Sequence, residues 1–546
     1  MALFFSFIVS MLITMALIPP LMRSAERLQF VDVPDSRKIH VRNVPRVGGI
    51  AMVAGSVLPI VMWLMPNKEV IAFLLGMAII VIFGVWDDRR NLDYRVKFLG
   101  QIIAVLTVML YGGVMIDSVP LLVEGEKLPV YLSVPITLIF ILGITNAINL
   151  SDGLDGLAGG TTLLSIGAMA FLGYITDNVM VLLISVAMIG SILGFLRFNT
   201  HPAQVFMGDG GSQFLGFSVG VMAVLLTQHG RIPLSPALPL LLLALPIVDT
   251  AMVIWQRLRS GHSPFKADKN HFHHKLLAIG LSHYEAVLTI YVIQALLVVL
   301  VYLLRFSLDS MVVAAFLSFM ASIALFFAWA GRSQWRMPRN AEKDGGYNNI
   351  KRQIISLQDN NVPMVAACGI SMLAIAAYLI VAVLTTKDVT LDIGALALSV
   401  FVIMAAQLVR QWDSPVTWLD QLGIYVLATL AIFLSQTGSG VMNEWRPVVD
   451  ALFVLLAVGV VIGFGFSRHK HFRLTTLDFL VIFSAVTVPN LPHVTIGQAT
   501  LGESVAKLIV LFYAAELVMS RSGNYIYAMR PLVMALCLTI GIKAVA

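Results

Sequence analysis

Residues 69–90 read EVIAFLLGMAIIVIFGVWDDRR, an apolar run that ends abruptly in two acidic and two basic residues. A helix needs about 20 mainly apolar residues to cross the hydrocarbon core of a bilayer. The same character extends over the whole chain of 546 residues, of which 58% are hydrophobic and only 12% are charged. A soluble protein carries roughly 25% charged residues. The sequence therefore predicts an all-α polytopic membrane protein, and it excludes a disordered chain, a disulfide-rich secreted scaffold and a soluble α/β enzyme.

Comparable apolar runs recur along the chain and predict about eleven transmembrane helices in residues 1–330 and about seven in residues 362–546. The first eleven are placed at 2–21, 48–64, 69–86, 99–115, 131–149, 160–175, 179–196, 213–228, 237–255, 285–304 and 311–330. The other seven are placed at 362–384, 391–410, 417–435, 447–466, 475–489, 503–520 and 528–545. We expect the first run to be retained, because it lacks the basic segment and the cleavage site of a signal peptide.

The loops between these runs differ sharply in their content of Lys and Arg. One alternating set in the first part carries 22 of these residues, and the other set carries 4. The basic set consists of 22–47, 87–98, 197–212, 256–284 and 331–353. Because basic loops are retained in the cytoplasm, the asymmetry predicts a cytoplasmic location for this set and an N-terminus on the outer side. The net charge of +6 fits an anionic membrane surface better than nucleic acid.

The stretch 331–361 is the one long polar segment and contains Pro338 and Gly345. It predicts a cytoplasmic linker between a membrane domain over 1–330 and a C-terminal transmembrane extension over 362–546. The extension has no comparable cluster of polar motifs. Its role is open between a scaffold, a partner-docking bundle and a lipid-handling module.

The polar motifs of the first part all fall on the predicted cytoplasmic side. The first motif is Asp87-Asp88, where two adjacent carboxylates repel each other unless a cation lies between them. Such hard oxygen ligands suit Mg²⁺, which proteins commonly bind together with substrate phosphates. Lys97 adds a compact cation suited to a phosphate. The alternative is a solvated acidic pair balanced by the two arginines that follow, and the motif alone does not decide between them.

The second motif is NAINLSDGLDGLAGG at 146–160, which interleaves amides and carboxylates with glycines. The amides belong to Asn146 and Asn149, and the carboxylates belong to Asp152 and Asp155. Glycines allow the backbone to approach a ligand closely, whereas so dense a polar cluster serves no purpose in packing. The segment therefore predicts a ligand site more strongly than a plain polar loop.

The third motif is FMGDGGSQF at 206–214, which places Asp209 among glycines at the start of an apolar run. It combines a hard metal ligand with the N–H groups of a helix N-terminus, which bind anions. An N-cap followed by a turn explains the same residues. Both interpretations stay open at this point.

The fourth motif is RSGHSPFKADKNHFHHKL at 259–276, which contains His271, His273 and His274 among basic residues. A zinc site is disfavoured, because helical zinc pairs use i, i+4 spacing and no cysteine lies nearby. The cluster better fits a clamp for a diphosphate, whose oxygens would meet imidazole N–H groups and Lys or Arg charges. The alternative is one more basic cytoplasmic loop without a binding role, which would not explain the three histidines.

Three further residues are less specific. Lys38, in the basic loop 35–49, and Arg259, beside the histidine motif, fit phosphate binding but also the general basic character of cytoplasmic loops. Asp249 lies within the ninth apolar run, where an acid is costly and indicates function by default. A buried partner for a polar group of a neighbouring helix is the equal alternative for Asp249.

Together the motifs place acids and amides for Mg²⁺, surrounded by Arg, Lys and His for phosphates, at the inner face of a helical bundle. This combination indicates phosphoryl transfer on a membrane-resident substrate. A transporter or flippase is the rival class, but transporters bind substrates near the bilayer midplane, whereas these motifs lie almost entirely in loops on one side. A catalytically inactive scaffold is a third class, which the complete set of motif acids disfavours for the first part.

Four motifs resemble, in the same order, those of the polyprenyl-phosphate N-acetylhexosamine-1-phosphate transferase family. They are WDD at 86–88, NAINLSDGLDGL at 146–157, FMGDGGS at 206–212 and HFHH at 271–274. The eleven predicted spans are similar to the bacterial branch that starts polysaccharide synthesis from UDP-N-acetylglucosamine. The resemblance implies that undecaprenyl phosphate attacks the β-phosphorus of a UDP-sugar and releases UMP at the cytoplasmic face of the bacterial inner membrane.

The resemblance also implies roles for individual residues. Asn149 and Asp209 match the positions that contact Mg²⁺, with Mn²⁺ as the alternative ion. Asp87 and Asp88 match the acidic pair, for which we expect positioning and electrostatics before proton transfer, because a phosphate dianion hardly needs a base. The catalytic candidates are Asp87, Asp88, Asp152, His271, His273 and His274.

Lys97 matches a position near the lipid phosphate, and Asp155 matches one that contacts the uridine. The substrate-binding candidates are Lys38, Lys97, Asn146, Asp155 and Arg259. N-acetylglucosamine is the expected sugar, and another UDP-N-acetylhexosamine is the alternative. The implied partners are the UDP-sugar, undecaprenyl phosphate and the lipid bilayer, without nucleic acid. A homodimer is compatible with the resemblance, but the sequence does not give the oligomeric state.

Overall fold

The structure is a computed structural model. It describes residues 2–32, 43–120, 127–230, 232, 234–261, 263, 270–333 and 335–337, and then 362–386, 389–410, 418–437, 445–466, 475–487, 495–496, 499–520 and 524–545. The predicted linker 331–361 lies largely outside the described residues. Internal contacts divide the chain into two compact units, one formed by Met1–Arg339 with Thr475–Leu480 and the other by Asn340–Leu474 with Val481–Ala546.

Helices dominate the described residues of the first part of the chain. They are α1 (Ala2–Leu28), α2 (Gly48–Trp63), α3 (Lys68–Arg90), α4 (Tyr94–Leu106, extended by a π-helical turn at Thr107–Tyr111), α5 (Val130–Ser151), α6 (Leu157–Ile175), α7 (Val179–Asn199), α8 (Gly208–Gln228), α9 (Leu238–Leu242), α10 (Ala244–Arg259), α11 (Phe272–Ala278), α12 (His283–Leu304) and α13 (Asp309–Arg332). Strands β1 (Val31–Asp32) and β2 (Val44–Pro45) form one short antiparallel pair.

The described residues after 361 continue this pattern. Their helices are α14 (Val362–Thr385), α15 (Leu391–Arg410), α16 (Trp418–Thr437), α17 (Arg446–Phe466), α18 (Thr476–Thr487), α19 (Leu501–Ser520) and α20 (Asn524–Val545). Strands β3 (Thr495–Ile496) and β4 (Ala499–Thr500) form a second antiparallel pair. Twelve of the described helices are long and apolar enough to cross a membrane. The prediction of an all-α polytopic membrane protein is confirmed, and each predicted run overlaps at least one helix.

The ninth predicted run, 237–255, differs from a single span because it is broken into α9 and α10 at Leu243. Pro246 has no N–H group and therefore cannot donate to the Leu242 carbonyl as a continuous helix would require. That carbonyl instead accepts the Ser165 hydroxyl at 3.0 Å and the Gln294 amide at 3.1 Å. At the break, side chains from α6 and α12 therefore replace the missing backbone donor to the Leu242 carbonyl.

Helix α8 forms the centre of the first part. Within its most apolar stretch 94% of the residues are buried, compared with 11% in α13. Its N-terminal turn meets α2 and α3 at glycines, since a Cβ on Gly49 would lie 2.5 Å from the Gly211 Cα and one on Gly84 would lie 2.4 Å from the Gly210 Cα. Any side chain at these contacts would push the helices apart. The glycines therefore bring the end of α3 against the start of α8, where the candidate site lies.

Candidate functional site

Asp88, near the end of α3, holds the N-terminus of α8. Its two carboxylate oxygens accept the Asp209 N–H at 2.8 Å and the Gly210 N–H at 3.0 Å. The first N–H groups of a helix have no partner within it, and the helix dipole favours an anion there. The anion site predicted at this terminus is therefore filled by the protein's own carboxylate, and Asp88 fixes Asp209 relative to α3.

Lys97, from the first turn of α4, lies between two carboxylates of the predicted set. Its ammonium group contacts Asp87 Oδ2 and lies 3.2 Å from Asp209 Oδ2. Asp87 is almost completely buried, and its other oxygen accepts a backbone N–H at 2.7 Å. Asp88 and Asp152 both lie close enough to interact electrostatically with Asp209. One lysine thus faces several carboxyl groups, so their full ionisation would leave an excess of negative charge.

Asn149, at the end of α5, joins the same carboxylate. Its amide nitrogen donates to Asp209 Oδ1 at 3.0 Å and to Ser212 Oγ at 2.7 Å. The amide oxygen, the carboxylate and the hydroxyl are hard donors of the kind that Mg²⁺ prefers, and a divalent cation would offset the excess negative charge. The residues present therefore fit Mg²⁺, with Asn149 and Asp209 as the residues that would hold it.

Asn146 lies one turn before Asn149 and belongs to a network of amides. Its Nδ2 donates to Gln101 Oε1 and to the Leu142 carbonyl, both at 2.8 Å, while Gln101 Nε2 donates to Gln213 Oε1 at 3.1 Å. The network connects α4, α5 and α8. These contacts give Asn146 a positioning role beside the acidic cluster, and its predicted contact with substrate stays a prediction.

Asp155 lies between α5 and α6 and is held by groups from distant parts of the chain. Its Oδ2 pairs with His201 Nδ1 at 2.7 Å and accepts the Ala203 N–H at 3.0 Å. Its own N–H donates to His283 Nε2 at 3.2 Å. Burial by itself raises the pKa of Asp155, but the hydrogen bonds from His201 and Ala203 outweigh burial and hold the pKa below its usual value. Asp155 is therefore an anion at neutral pH.

The ligand atoms of Asp155, His201 and His283 lie within 4.8 Å of one another, a spacing that a metal ion could bridge. The two imidazole rings, however, are stacked with centroids 4.1 Å apart and planes only 24° from parallel. An ion bound by an imidazole nitrogen lies near the plane of that ring, and two nearly parallel stacked rings cannot both meet this condition. We interpret the three side chains as a stacked, hydrogen-bonded group that orients Asp155.

Asp152, the first residue after α5, is partly buried and surrounded by other acids. Burial, reinforced by the charges of Asp209 and Asp155, raises its pKa to about 7. A cation in the cluster would lower the cost of ionising this group. Asp152 would therefore ionise more readily with a metal ion bound in the cluster.

The histidine motif begins just before α11 and is anchored by Asp249. The Asp249 carboxylate accepts the Phe272 N–H at 2.6 Å and pairs with His271 Nδ1 at 2.9 Å. All three residues are buried. Of the two interpretations of Asp249, the structure favours the buried partner, and the group that it positions is the predicted diphosphate clamp.

His273 faces the connection between α5 and α6. Its buried Nε2 has no hydrogen-bond partner among the described residues, and a Cβ on Gly153 would lie 2.2 Å from that atom. Burial, with the neighbouring His274 as the second cause, lowers the pKa of His273 to about 3. His273 is therefore an uncharged imidazole at neutral pH with one N–H group to offer, and its predicted place in a diphosphate clamp stays a prediction. The ring centroids of His273 and His274 lie 4.3 Å apart.

Two predicted substrate-binding residues cannot be assigned to this cluster. Lys38 lies outside the described residues. Arg259 is exposed at the end of α10, where its guanidinium carbon lies 5.3 Å from the centroid of Trp255. Conversely, none of the sequence motifs indicated His201 or His283, which contact Asp155. The residue before His283 starts an S-x-x-E capping box, a pattern that marks a helix start and could have placed this histidine at a helix terminus.

Comparison with known proteins finds sequence similarity to one family. Residues 70–227 match the family described as glycosyl transferase family 4. A Bacillus subtilis (strain 168) protein named "Probable undecaprenyl-phosphate N-acetylglucosaminyl 1-phosphate transferase" is 38% identical over 291 residues, 53% of this chain and 81% of that protein. A Mycobacterium leprae (strain TN) protein named "Decaprenyl-phosphate N-acetylglucosaminephosphotransferase" is 37% identical over 299 residues, 49% of this chain and 75% of that protein.

A Yersinia pestis protein named "Undecaprenyl-phosphate alpha-N-acetylglucosaminyl 1-phosphate transferase" is 31% identical over 294 residues, 52% of this chain and 80% of that protein. These relatives are covered over most of their length, whereas about half of this chain lies outside the similarity. The family match runs from α3 to the end of α8 and so contains Asp87, Lys97, Asn149 and Asp209. The chain therefore belongs to glycosyl transferase family 4 and is a polytopic membrane transferase.

Proposed function

We propose that this protein transfers N-acetylglucosamine-1-phosphate from UDP-N-acetylglucosamine to undecaprenyl phosphate and releases UMP. The observation that carries the proposal is the cluster in which Lys97 faces Asp87 and Asp209 while Asn149 binds the same Asp209 carboxylate. It joins an excess of acids, suited to a divalent cation, to a lysine suited to a phosphate, which together equip a site for phosphoryl transfer. The names of the relatives supply the sugar and the lipid.

In this reaction an oxygen of the lipid phosphate attacks the phosphorus that carries the sugar. A new P–O bond forms, the bond to the UMP oxygen breaks, and UMP leaves with the electron pair. Since the attacking phosphate can be a dianion, no proton has to be removed from it. We therefore assign positioning and electrostatic roles to the carboxylates, with Lys97 holding the attacking phosphate and Asp88 fixing Asp209 through the start of α8.

The UDP-sugar would bind on the other side of the cluster. Mg²⁺ bound by Asn149 and Asp209 would offset the negative charge of the diphosphate. Asp155, held as an anion by its partners, would accept a hydrogen bond from the uridine, as the family resemblance implies. The neutral His273 would donate its N–H to a phosphate oxygen, which would give its buried ring nitrogen the partner that it lacks.

We place this reaction at the cytoplasmic face of the bacterial inner membrane, with the N-terminus outside. The support is the asymmetry of Lys and Arg between alternate loops. The lipid-linked sugar diphosphate would start the synthesis of a cell-surface polysaccharide. The division into a catalytic part over 1–330 and an extension over 362–546 stays part of this proposal.

The direct test is UMP release by the purified full-length protein with Mg²⁺, undecaprenyl phosphate and each of several UDP-sugars. Release with UDP-N-acetylglucosamine alone is the expected result. Release with another UDP-N-acetylhexosamine would keep the reaction and change the donor. No release from a folded protein, in an assay where a relative is active, would contradict the proposal and favour a transporter or flippase.

A further inference from the structure

A groove of about 650 Å³ lies outside the candidate site, between α10, α11, α13 and the segment 335–337. Its walls carry aromatic rings and small aliphatic side chains, and its polar groups are few. The aromatic residues are Trp255, Phe327 and Trp335, and the polar ones are Gln256, Lys275 and Arg336. A volume of this size accommodates part of a lipid or a small ligand.

The segment after α13 builds one wall of the groove through backbone hydrogen bonds. The Trp335 N–H donates to the Ala330 carbonyl at 3.1 Å, which turns the chain back over the end of α13. The Met337 N–H donates to the Ile279 carbonyl at 2.8 Å, which ties the same segment to the end of α11. The groove is therefore a built feature of the fold, because its two sides are connected.

The charged side chains among the described residues that line the groove have one sign. Lys275 and Arg336 contribute two cations, and none of the described residues that line the groove is acidic. The Lys275 ammonium nitrogen lies 5.4 Å from the centroid of Phe327, and Arg336 is exposed. Basic pockets between transmembrane helices on the cytoplasmic side bind anionic lipid headgroups, and tryptophans concentrate at the membrane interface. The groove combines both features.

We infer that this groove binds an anionic membrane phospholipid. The phosphate of the headgroup meets Lys275 and Arg336, and an acyl chain lies against Trp255 and Phe327. The lining shares no residue with the acidic cluster or with Lys97, so a phosphate bound here is not the one that reacts. The inference goes beyond the proposed reaction and shares with it only the proposed cytoplasmic location of this side of the protein.

Tryptophan quenching tests this site in the full-length protein in detergent. Brominated phosphatidylglycerol, which is anionic, should quench at a concentration about fivefold or more below that of brominated phosphatidylcholine. The Trp255→Phe/Trp335→Phe variant should lose this selective component. The Trp86→Phe variant should keep it, because Trp86 is exposed on α3 and does not line the groove. Equal quenching by the two lipids would overturn the inference.

A pair of arginine variants separates the site from a general charge effect. Arg336→Gln should weaken the selective quenching by about fivefold, the effect of one cation near an anionic lipid. Arg332→Gln, also exposed but outside the lining, should leave it unchanged. Equal effects of the two variants would contradict a specific site. Displacement of the brominated lipid by undecaprenyl phosphate at a much lower concentration than by phosphatidylglycerol would reassign the groove to the acceptor and overturn the inference.

Discussion

Acidic side chains are arranged differently in the two parts of the chain. In the first part, Asp87, Asp88, Asp152 and Asp209 collect near Lys97 at the ends of α3, α5 and α8. Arg46 interacts electrostatically with Asp88 and Asp152, but it is itself paired with Asp32. The acids therefore outnumber the cations that neutralise them.

In the second part the described ion pairs are balanced. Asp420 and Arg530, both buried, form two parallel hydrogen bonds of 2.7 and 2.8 Å. Lys507 pairs with Asp450 at 2.8 Å and with Glu503 at 2.7 Å, and an arginine also pairs with Glu503. A balanced pair is neutral without a ligand, whereas an unbalanced cluster is neutralised either by protons or by a cation from outside. We therefore infer that excess charge indicates a functional site better than the mere presence of charge does.

The largest expected effect removes one acid from the unbalanced cluster. Asp209→Asn should lower the rate of UMP release by about 10²–10³-fold, because it weakens both the metal site and the electrostatic stabilisation of the transferred phosphoryl group. Protein yield and thermal unfolding should stay near those of the wild type. Asp117→Asn, on a loop away from the cluster, is the matched control and should keep full activity. Unchanged UMP release in Asp209→Asn would remove the basis for a functional cluster.

The second prediction breaks a balanced pair. Arg530→Met leaves Asp420 buried without its cation and should lower the free energy of unfolding by about 3–5 kcal/mol. Adding Asp420→Leu should restore most of this stability, since both charges are then absent. The equivalent double change in the first part, Lys97→Met with Asp87→Leu, should not restore transfer. Thermal unfolding in detergent and UMP release measure the two quantities. Restored transfer in the second double variant would show that the two parts do not differ as we infer.

The third prediction concerns the space beside the cluster. Gly153→Ala should lower the rate of UMP release by about 10²-fold, because the added methyl group would displace His273 by an ångström or more. Gly167→Ala is the matched control, since a Cβ at that position meets nothing within 4 Å. Equal rates for the two variants would exclude a role for the placement of this ring.

The smallest expected effect is the contribution of His273 to the pH dependence of stability. Its pKa falls from 6.5 in the unfolded chain to about 3 in the fold, so the unfolded chain binds a proton first as the pH decreases. The contribution of the neutral His273 to the free energy of unfolding is complete above about pH 6.5 and declines toward pH 3. The wild type should therefore lose about 2 kcal/mol more than His273→Gln between pH 7 and pH 5. Parallel pH curves of the two proteins in thermal unfolding would contradict a buried neutral imidazole.

The helices could be predicted well because their signal is local. A run of about 20 apolar residues has few alternatives to a transmembrane helix, since lipid offers no partner for backbone N–H and C=O groups. The break at Leu243 was missed, because hydropathy does not register that Pro246 removes a donor. The difference in burial between α8 and α13 could not be predicted either, because both helices are apolar. Only packing determines which helix contacts other helices and which contacts lipid.

The site was predicted as a set of residues but not as a geometry. Asp87, Lys97, Asn149 and Asp209 were named from their motifs, and the structure brings them together. The motifs could not show that Asp88 caps α8, because the N–H groups that it binds lie more than 120 residues away in sequence.

His201 and its stacking partner were missed for the same reason. No sequence motif connects His201 or His283 to Asp155, and only the fold brings them into contact with it.

The sequence by itself determined the membrane class, the helices and the chemical inventory of the site, since each follows from composition or from residues close together in the chain. Only the tertiary structure decided which side chains are buried and which charged groups lie close enough to interact electrostatically. Burial makes His273 neutral, partners keep Asp155 ionised, and burial, reinforced by the charges of neighbouring acids, raises the pKa of Asp152 to about 7. Burial and Coulomb interactions depend on distance in space, and a linear sequence does not contain those distances.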